Sequence, residues 1–219
     1  LVLAVSRHLL LADAALRRGE WLRWELRPSS YDLGGKTVGL LGFGRIGRQV
    51  AHLVRAFGAG VIYHDVMPAN AETERSIGAA FVPFDELLSR SDVLSVHVPF
   101  IPETRHIIGA TEIAQMKRSA ILINAARGGL VDEVELATAL REGRLAGAGV
   151  DVYDTEPIPV DCPLLTAPNI VLTPHIAAGT RDALTAKIDF CVLNMLRITD
   201  GLEPLNLVKP LPDTPGGRK

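Results

Sequence analysis

The stretch Gly42-Phe43-Gly44-Arg45-Ile46-Gly47 decides the fold of this chain, because its glycines stand in the order G-x-G-x-x-G. The apolar run 37–41 directly before it is typical of a buried strand, and residues 46–57 have the pattern of a helix. In this context Gly42 permits a tight turn, Gly44 lets the backbone approach a pyrophosphate, and Gly47 lets the helix pack close to the strand. The stretch therefore predicts a dinucleotide-binding βαβ unit.

Two further features indicate how the dinucleotide binds. The free N–H groups at the start of the helix, which Arg45 and Ile46 would contribute, are expected to face the phosphates. Asp65 ends the second predicted strand, about 20 residues after the last glycine, where an acidic side chain would bind the adenosine ribose hydroxyls. Since a carboxylate would repel a 2′-phosphate, Asp65 favours NAD over NADP. The structural alternatives are a plain strand-to-helix turn for the glycines and a solvated loop acid for Asp65.

Outside this unit, short runs rich in Val and Ile alternate with helical patterns, which is typical of a parallel sheet with helices on its faces. The strands are expected at 37–41, 61–63, 79–82, 93–96, 120–123, 146–150 and 170–172. The helices between them are expected at 46–57, 70–77, 84–89, 111–116 and 132–141, with two more outside the alternation at 2–17 and 181–198. Nearly continuous apolar runs indicate strands covered on both faces. The predicted fold is a Rossmann-type, doubly wound α/β sheet of about seven strands.

Composition excludes several classes of function. The 219 residues are 47% hydrophobic and 22% charged, which is ordinary for a soluble chain with one large domain. The formal net charge of -2 offers no electrostatic footprint for nucleic acid or an anionic membrane. The apolar segment 1–16 is interrupted by Arg7 and Asp13 and lacks the features of a bilayer span or signal peptide, which predicts a cytoplasmic protein. Cys162 and Cys191 follow no disulfide or metal-binding spacing, so no metal is expected.

Four further segments place unusual polar residues directly after predicted strands, at 97–104, 124–132, 149–157 and 174–180. Because ligands bind outside the carboxyl ends of parallel strands, these segments are expected to converge on one crevice. The order G-x-G-x-x-G, Arg127-Gly128-Gly129, Glu156-Pro157, Pro174-His175 resembles the D-2-hydroxyacid dehydrogenases, a family that includes D-lactate, glycerate, 3-phosphoglycerate and formate dehydrogenases. The resemblance extends from about residue 1 to residue 208.

The resemblance implies catalytic roles for three side chains. Arg127 matches the arginine that grips the substrate carboxylate and polarises its carbonyl, tasks that suit a planar and permanently charged guanidinium. His175 matches the acid/base that protonates the carbonyl oxygen in reduction and removes the hydroxyl proton in oxidation. Glu156 matches its carboxylate partner, which favours the charged imidazole. The structural alternatives are a loop ion pair for Arg127, a core histidine for His175 and a surface acid for Glu156.

The resemblance also assigns residues to the cofactor. Asp151 matches the residue that contacts the carboxamide side of the nicotinamide. The adenosine and phosphate side would be lined by His97, Val98, Pro99 and Thr104. The nicotinamide side would be lined by Ala125, Ala126, Arg127, His175 and Ala178. The remaining histidines match no motif and are expected to be structural or solvated, namely His8, His52, His64 and His106.

The domain organisation that the resemblance implies has four regions. They are an interdomain or arm helix at 1–18, an NAD-binding domain at 19–178, a C-terminal helix of an incomplete substrate domain at 179–208, and a flexible tail at 209–219. Family members carry half of the substrate domain before the segment that corresponds to Leu1, so helices 2–17 and 181–198 are expected to expose apolar stripes. The segment Gly19-Glu20-Trp21 with Trp24 resembles the arm of family dimers, which predicts a homodimer through the cofactor domain, with a monomer as the alternative.

Two functions agree with these features. The first is NAD-dependent interconversion of a D-2-hydroxy acid and a 2-keto acid, with this chain as chiefly the NAD-binding domain. The alternative is an NAD(H)-binding interaction module, since corepressors that resemble this family retain the dinucleotide site. A methyltransferase with a glycine-rich loop agrees poorly, because it leaves Arg127, Glu156 and His175 without roles.

Overall fold

The computed structural model describes residues 1–207, so the tail expected at 209–219 lies outside the described residues. The chain divides into two compact units, Leu1–His175 and a second unit that begins at Ile176. The first unit contains the sheet and its flanking helices, and the second contains one long helix.

A seven-stranded parallel sheet forms the centre of the first unit, in the order β3-β2-β1-β4-β5-β6-β7. Its strands are β1 (Thr37–Leu41), β2 (Gly60–His64), β3 (Ala79–Phe81), β4 (Val93–Val96), β5 (Ile121–Asn124), β6 (Gly147–Val150) and β7 (Ile170–Leu172). The predicted doubly wound sheet is confirmed, and every residue of β4, β5 and β6 is buried, as continuous apolar runs indicate. Strand order reverses at β1, between β2 and β4, which opens a crevice at the carboxyl ends there.

Eight helices of the first unit accompany the sheet. They are α1 (Val2–Ser6), α2 (Leu9–Arg17), α3 (Arg23–Leu26), α4 (Arg45–Ala56), α5 (Ala71–Ile77), α6 (Phe84–Arg90), α7 (Ala110–Gln115) and α8 (Glu133–Arg141). Asp132 caps α8, since its carboxylate accepts the backbone N–H groups of Val134 and Glu135. Gly58 and Gly143, both with positive φ, follow the ends of α4 and α8, where the left-handed conformation closes a helix.

The N-terminal segment departs from the single helix expected at 2–17. His8 has a φ of 49° and divides the segment into α1 and α2. The break lets α1 turn onto the sheet, where Val5 is buried beside Gly147 of β6. A Cβ on Gly147 would lie 2.7 Å from Val5 Cγ1, so the glycine makes room for this helix. The expectation that the whole segment lacks a packing partner is therefore wrong for α1, whereas α2 does expose Leu9, Leu10, Leu11 and Leu16.

The second unit is built on α9 (Arg181–Thr199). Thr180 caps it by accepting the backbone N–H of Ala183. Its apolar side chains are exposed, among them Leu184, Ile188, Leu193, Met195 and Leu196. Among residues 1–207, no helix combines the length and the apolar character that crossing a bilayer requires.

Candidate active site

The glycine-rich turn between β1 and α4 has the geometry that its sequence predicts. Gly42 has a φ of 98°, and a Cβ there would lie 2.8 Å from the carbonyl carbon of His97. A Cβ on Gly47 would lie 2.3 Å from the Gly42 oxygen, so only glycine allows α4 to start this close to the strand. Around Gly44, by contrast, no described atom lies within 4 Å of a Cβ position. Two glycines therefore shape the turn, and the third leaves open space where a ligand can approach the backbone.

Asp65 lies beside this turn, directly after β2. Its Oδ2 accepts the backbone N–H of Phe43 at 2.7 Å, and its Oδ1 accepts the N–H of Val66 at 2.7 Å. The Phe43 ring stacks on Tyr63, with centroids 3.8 Å apart, and so fixes the turn against β2. The carboxylate is thereby held at the glycine-rich turn, where it adds negative charge beside the space for a dinucleotide.

A cavity of about 560 Å³ opens next to the turn. Its lining comes from the start of α4 and from the loops after β4 and β5, and consists of Ile46, His97, Val98, Pro99, Phe100, Ala125, Ala126 and Arg127. The structure thus brings together predicted cofactor residues that are far apart in the sequence. Thr104 does not line this cavity. Its hydroxyl donates to the Pro99 oxygen at 2.7 Å and accepts the N–H of Ile101, so it shapes the loop instead.

His97 contributes a neutral polar group to the cavity wall. Burial lowers the pKa of His97 from 6.5 to about 4, because the charged imidazole would lose its hydration. Nε2 of His97 lies 3.0 Å from the hydroxyl of Ser95, which is itself buried. The imidazole is therefore uncharged at neutral pH and is held toward the interior of the first unit.

A second cavity, of about 610 Å³, adjoins the first. All three predicted catalytic residues line it, and Arg127 and Phe100 belong to the walls of both cavities. The full lining is Phe100, Arg105, Arg127, Gly128, Gly129, Tyr153, Asp154, Thr155, Glu156 and His175. A molecule in the second cavity would therefore share the Arg127 side chain with the dinucleotide cavity.

His175 and Glu156 form a hydrogen-bonded pair in the second cavity. Nδ1 of His175 lies 2.8 Å from Oε2 of Glu156, and Oε1 of Glu156 accepts the backbone N–H of Tyr153 at 3.0 Å. The hydrogen bond with His175 and the Tyr153 N–H lower the pKa of Glu156, so this carboxyl is ionised at neutral pH. Because Nδ1 is engaged by the carboxylate, Nε2 is the ring nitrogen left to exchange a proton with a ligand.

Comparison with known proteins agrees with this geometry. The model of the D-isomer specific 2-hydroxyacid dehydrogenase, NAD binding domain, matches residues 1–177. The chain belongs to the D-isomer specific 2-hydroxyacid dehydrogenase family. It is 40% identical to a glyoxylate reductase of Korarchaeum cryptofilum over 95% of its length, and 46% identical to a D-3-phosphoglycerate dehydrogenase of Methanocaldococcus jannaschii over 85%.

The similarity extends to solved structures. The chain superposes on the apo form of Rhodotorula graminis D-mandelate dehydrogenase with a TM-score of 0.89 at 30% identity, covering 96% of this chain and 63% of that one. Among the relatives, the chain spans 63% of the K. cryptofilum enzyme and 35% of the M. jannaschii enzyme. The part that this chain contains is thus chiefly the NAD-binding domain of the family.

The residues at the turn and in the first cavity are suited to NAD, the cofactor of this family's domain. The open space at Gly44 admits a phosphate close to the backbone, and the N-terminus of α4 favours negative charge there. Asp65 supplies the acceptor that ribose hydroxyls need. Among residues 1–207, no cluster of three or more His, Cys, Asp or Glu side chains could hold a metal ion.

Two residues predicted to contact the nicotinamide, Asp151 and Ala178, are not among the residues that line the two cavities. Asp151 is buried at the end of β6, where Thr173 Oγ1 donates to its Oδ1 at 2.5 Å and its own N–H donates to the Asn124 oxygen. Ala178 belongs to the second unit. The assignments of both residues to the nicotinamide stay predictions.

Asn124 shapes the Arg127 loop, a role that was not predicted from the sequence. Asn124 is buried at the end of β5, its Nδ2 donates to the Arg127 oxygen at 3.0 Å, and its Oδ1 accepts the N–H of Ala126 at 3.2 Å. The guanidinium itself is exposed, and Nη1 donates to the Ala126 oxygen at 2.6 Å. A polar residue that closes an apolar strand was the available signal, since a buried amide needs hydrogen-bond partners.

Proposed function

We propose that the full-length protein is an NAD-dependent dehydrogenase that interconverts a D-2-hydroxy acid and the corresponding 2-keto acid. One observation carries the proposal: Arg127 and the hydrogen-bonded Glu156–His175 pair line a single cavity beside the predicted dinucleotide site. This combination provides a carboxylate-binding cation and a proton donor together. NAD supplies the hydride acceptor for oxidation, and NADH supplies the hydride donor for reduction.

The cofactor would be held by residues of the first unit. The N–H groups of Arg45 and Ile46 would bind the phosphates in the space at Gly44, and Asp65 would bind the ribose. The nicotinamide would lie toward Arg127, the side chain that both cavities share. Asp151 would contact the carboxamide, and Ala125 and Ala126 would pack near the ring.

In the proposed reaction, each catalytic residue has one task. Arg127 binds the substrate carboxylate with two N–H groups and withdraws electron density from the neighbouring carbonyl. His175 gives its Nε2 proton to the carbonyl oxygen during reduction and takes the hydroxyl proton during oxidation. Glu156 stays ionised, holds Nδ1 and stabilises the imidazolium. The pair therefore supplies both the proton and its orientation.

Small 2-keto acids are the proposed substrates. Relatives of the chain include glyoxylate reductases and D-3-phosphoglycerate dehydrogenases, and both names describe short acids with a carboxylate next to the reacting carbon. The test is steady-state oxidation of NADH by the full-length protein with glyoxylate, hydroxypyruvate or pyruvate. Continuous turnover with at least one of them is expected. NADH binding without turnover would instead favour the interaction-module alternative.

We also propose that the protein is a cytoplasmic homodimer that associates through the cofactor domain, by the arm that contains Trp21 and Trp24. Support comes from apolar side chains exposed on and between α2 and α3, which are Leu9, Leu10, Leu16, Trp21 and Trp24. A cavity of about 470 Å³ lies among these helices, and a second copy would cover it. Sedimentation equilibrium of wild type and Trp24→Glu tests the dimer. A monomeric wild type would contradict it.

A further inference from the structure

The loops that carry Arg127 and Glu156 touch through their backbones. A Cβ on Gly128 would lie 1.9 Å from the Tyr153 oxygen, so no side chain separates the loop after β5 from the loop after β6. The site needs this proximity, because one loop brings the guanidinium and the other brings the carboxylate that holds His175. Something must keep the two loops in register.

The Asp154 side chain joins the two loops. Its Oδ1 accepts the backbone N–H of Gly129, two residues from Arg127, at 2.6 Å. Its own backbone N–H donates to Oε1 of Glu133, in the first turn of α8, at 2.8 Å. Glu156 follows two residues later and accepts the N–H of Tyr153 within the same turn. Asp154 thus ties the Glu156 loop to both ends of the segment between Arg127 and α8.

His106 lies next to Asp154 and belongs to a third loop, the one after β4. Its Nε2 is buried without a hydrogen bond, 3.6 Å from Oδ2 of Asp154, and its Nδ1 lies 3.4 Å from Oδ2 of Asp132. Its backbone N–H donates to the Gly129 oxygen at 2.7 Å. His106 also has a φ of 49°, a left-handed conformation that non-glycine residues adopt rarely and at a cost. The surrounding contacts therefore hold the imidazole between the two carboxylates.

We propose that Asp154 is a positioning residue, placed next to His106, that fixes the Arg127 loop against the Glu156–His175 pair. We use the name Asp154 clasp for the cluster of four residues formed by Gly129, His106, Asp132 and Asp154. The kinetic consequence rests on the proposed dehydrogenase function, whereas the structural consequence does not. Asp154 need not touch the substrate for this role, because it acts through the loop that carries Arg127.

The expected consequence is a change of geometry at the reacting centre. Arg127 fixes the substrate carboxylate, and His175 must reach the carbonyl oxygen of the same small molecule. A displacement of about 1 Å between two such groups can lower the rate about a hundredfold. The cofactor turn between β1 and α4 contributes no residue to the Asp154 clasp, so NADH affinity should not change.

Hydrogen exchange of the 219-residue chain tests the structural part without any turnover. Asp154→Ala should accelerate amide exchange about tenfold in residues 127–131 and in 104–108, because both segments lose a contact of the Asp154 clasp. Asp161→Ala removes an exposed acid from the same loop and is the matched control, for which these segments should match wild type. Acceleration confined to 153–156 in Asp154→Ala would overturn the proposal.

Steady-state kinetics of the full-length protein test the catalytic part. Asp154→Ala should lower kcat about 10- to 100-fold and raise KM for the keto acid, with the NADH Kd within about twofold of wild type. Asp154→Asn keeps an oxygen that can accept the Gly129 N–H, so it should recover most of the rate. Wild-type kcat in Asp154→Ala would overturn the positioning role. If wild type itself shows no turnover, the proposed function fails, and hydrogen exchange still decides whether the Asp154 clasp joins the loops.

Discussion

Acid should destabilise the first unit through one histidine, His97. The pKa of His97 is lowered by burial to about 4, whereas its ordinary value is 6.5. Between these values the unfolded chain binds a proton at this position and the folded chain does not, so stability falls as the pH falls. The stability that the folded chain has when His97 is neutral is fully present above about pH 6.5, and it is lost progressively as the pH falls toward about 4.

The size of the effect follows from the two pKa values. Between pH 7 and pH 5, proton linkage at this single group lowers the free energy of unfolding by about 2 kcal/mol. The perturbation is His97→Asn, which keeps a polar partner for Ser95 and removes the titrating group. The control is His52→Asn, which removes an exposed histidine from α4.

Urea unfolding at pH 7 and pH 5, without cofactor, measures the effect. Wild type and His52→Asn should lose about 2 kcal/mol more stability over this interval than His97→Asn. Equal losses of stability in all three proteins would contradict the proposed role of His97, because they would show that this histidine has the same pKa in the folded and unfolded states. A substitution that changes the free energy of unfolding by the same amount at pH 7 and at pH 5 does not affect this comparison.

Four further predictions concern the site. Calorimetry should show NADH binding at least about tenfold more tightly than NADPH, a difference of about 1.4 kcal/mol, and Asp65→Ser should narrow the gap. Gly47→Ala should destabilise the chain by about 1–3 kcal/mol in urea unfolding, since its Cβ would lie 2.3 Å from the Gly42 oxygen. Gly44→Ala, by contrast, should leave the stability near that of wild type and weaken NADH binding. In the full-length protein, His175→Ala should lower kcat about 10²–10⁴-fold with NADH affinity unchanged. Glu156→Gln should lower kcat with NADH affinity unchanged, because an amide at this position no longer orients His175 and stabilises the imidazolium that forms in the reaction, and an unchanged kcat would count against the pair.

The sheet could be predicted because most of its strands are largely buried on both faces. Such strands appear in the sequence as continuous apolar runs, and β1 and β7 have the bounds that those runs give. The ends of two helices can likewise be predicted from the residues that stand there. Asp132 caps α8, and Gly58 and Gly143 end their helices, because a short side-chain acceptor and a positive φ are requirements of one residue and its neighbours.

The contacts between loops could not be predicted in the same way. His8 breaks the N-terminal helix because α1 must turn onto β6, a constraint that comes from the sheet and not from the helical pattern of residues 2–17. Asp154 was visible only as an acid near Glu156, and His106 matched no motif. Their roles arise from partners far along the chain, Gly129 and Asp132, which only the fold brings together.

The most direct test of the proposed function follows the hydride itself. The full-length protein would be incubated with glyoxylate or pyruvate and NADH that carries deuterium at both C4 positions of the nicotinamide, and the hydroxy acid formed would be analysed by mass spectrometry and NMR. A D-2-hydroxyacid dehydrogenase should place deuterium at C2 of the product, with the D configuration where C2 is a stereocentre. His175→Ala should label the product at a greatly reduced rate. Binding of NADH with no deuterium in any hydroxy acid would contradict the proposed function.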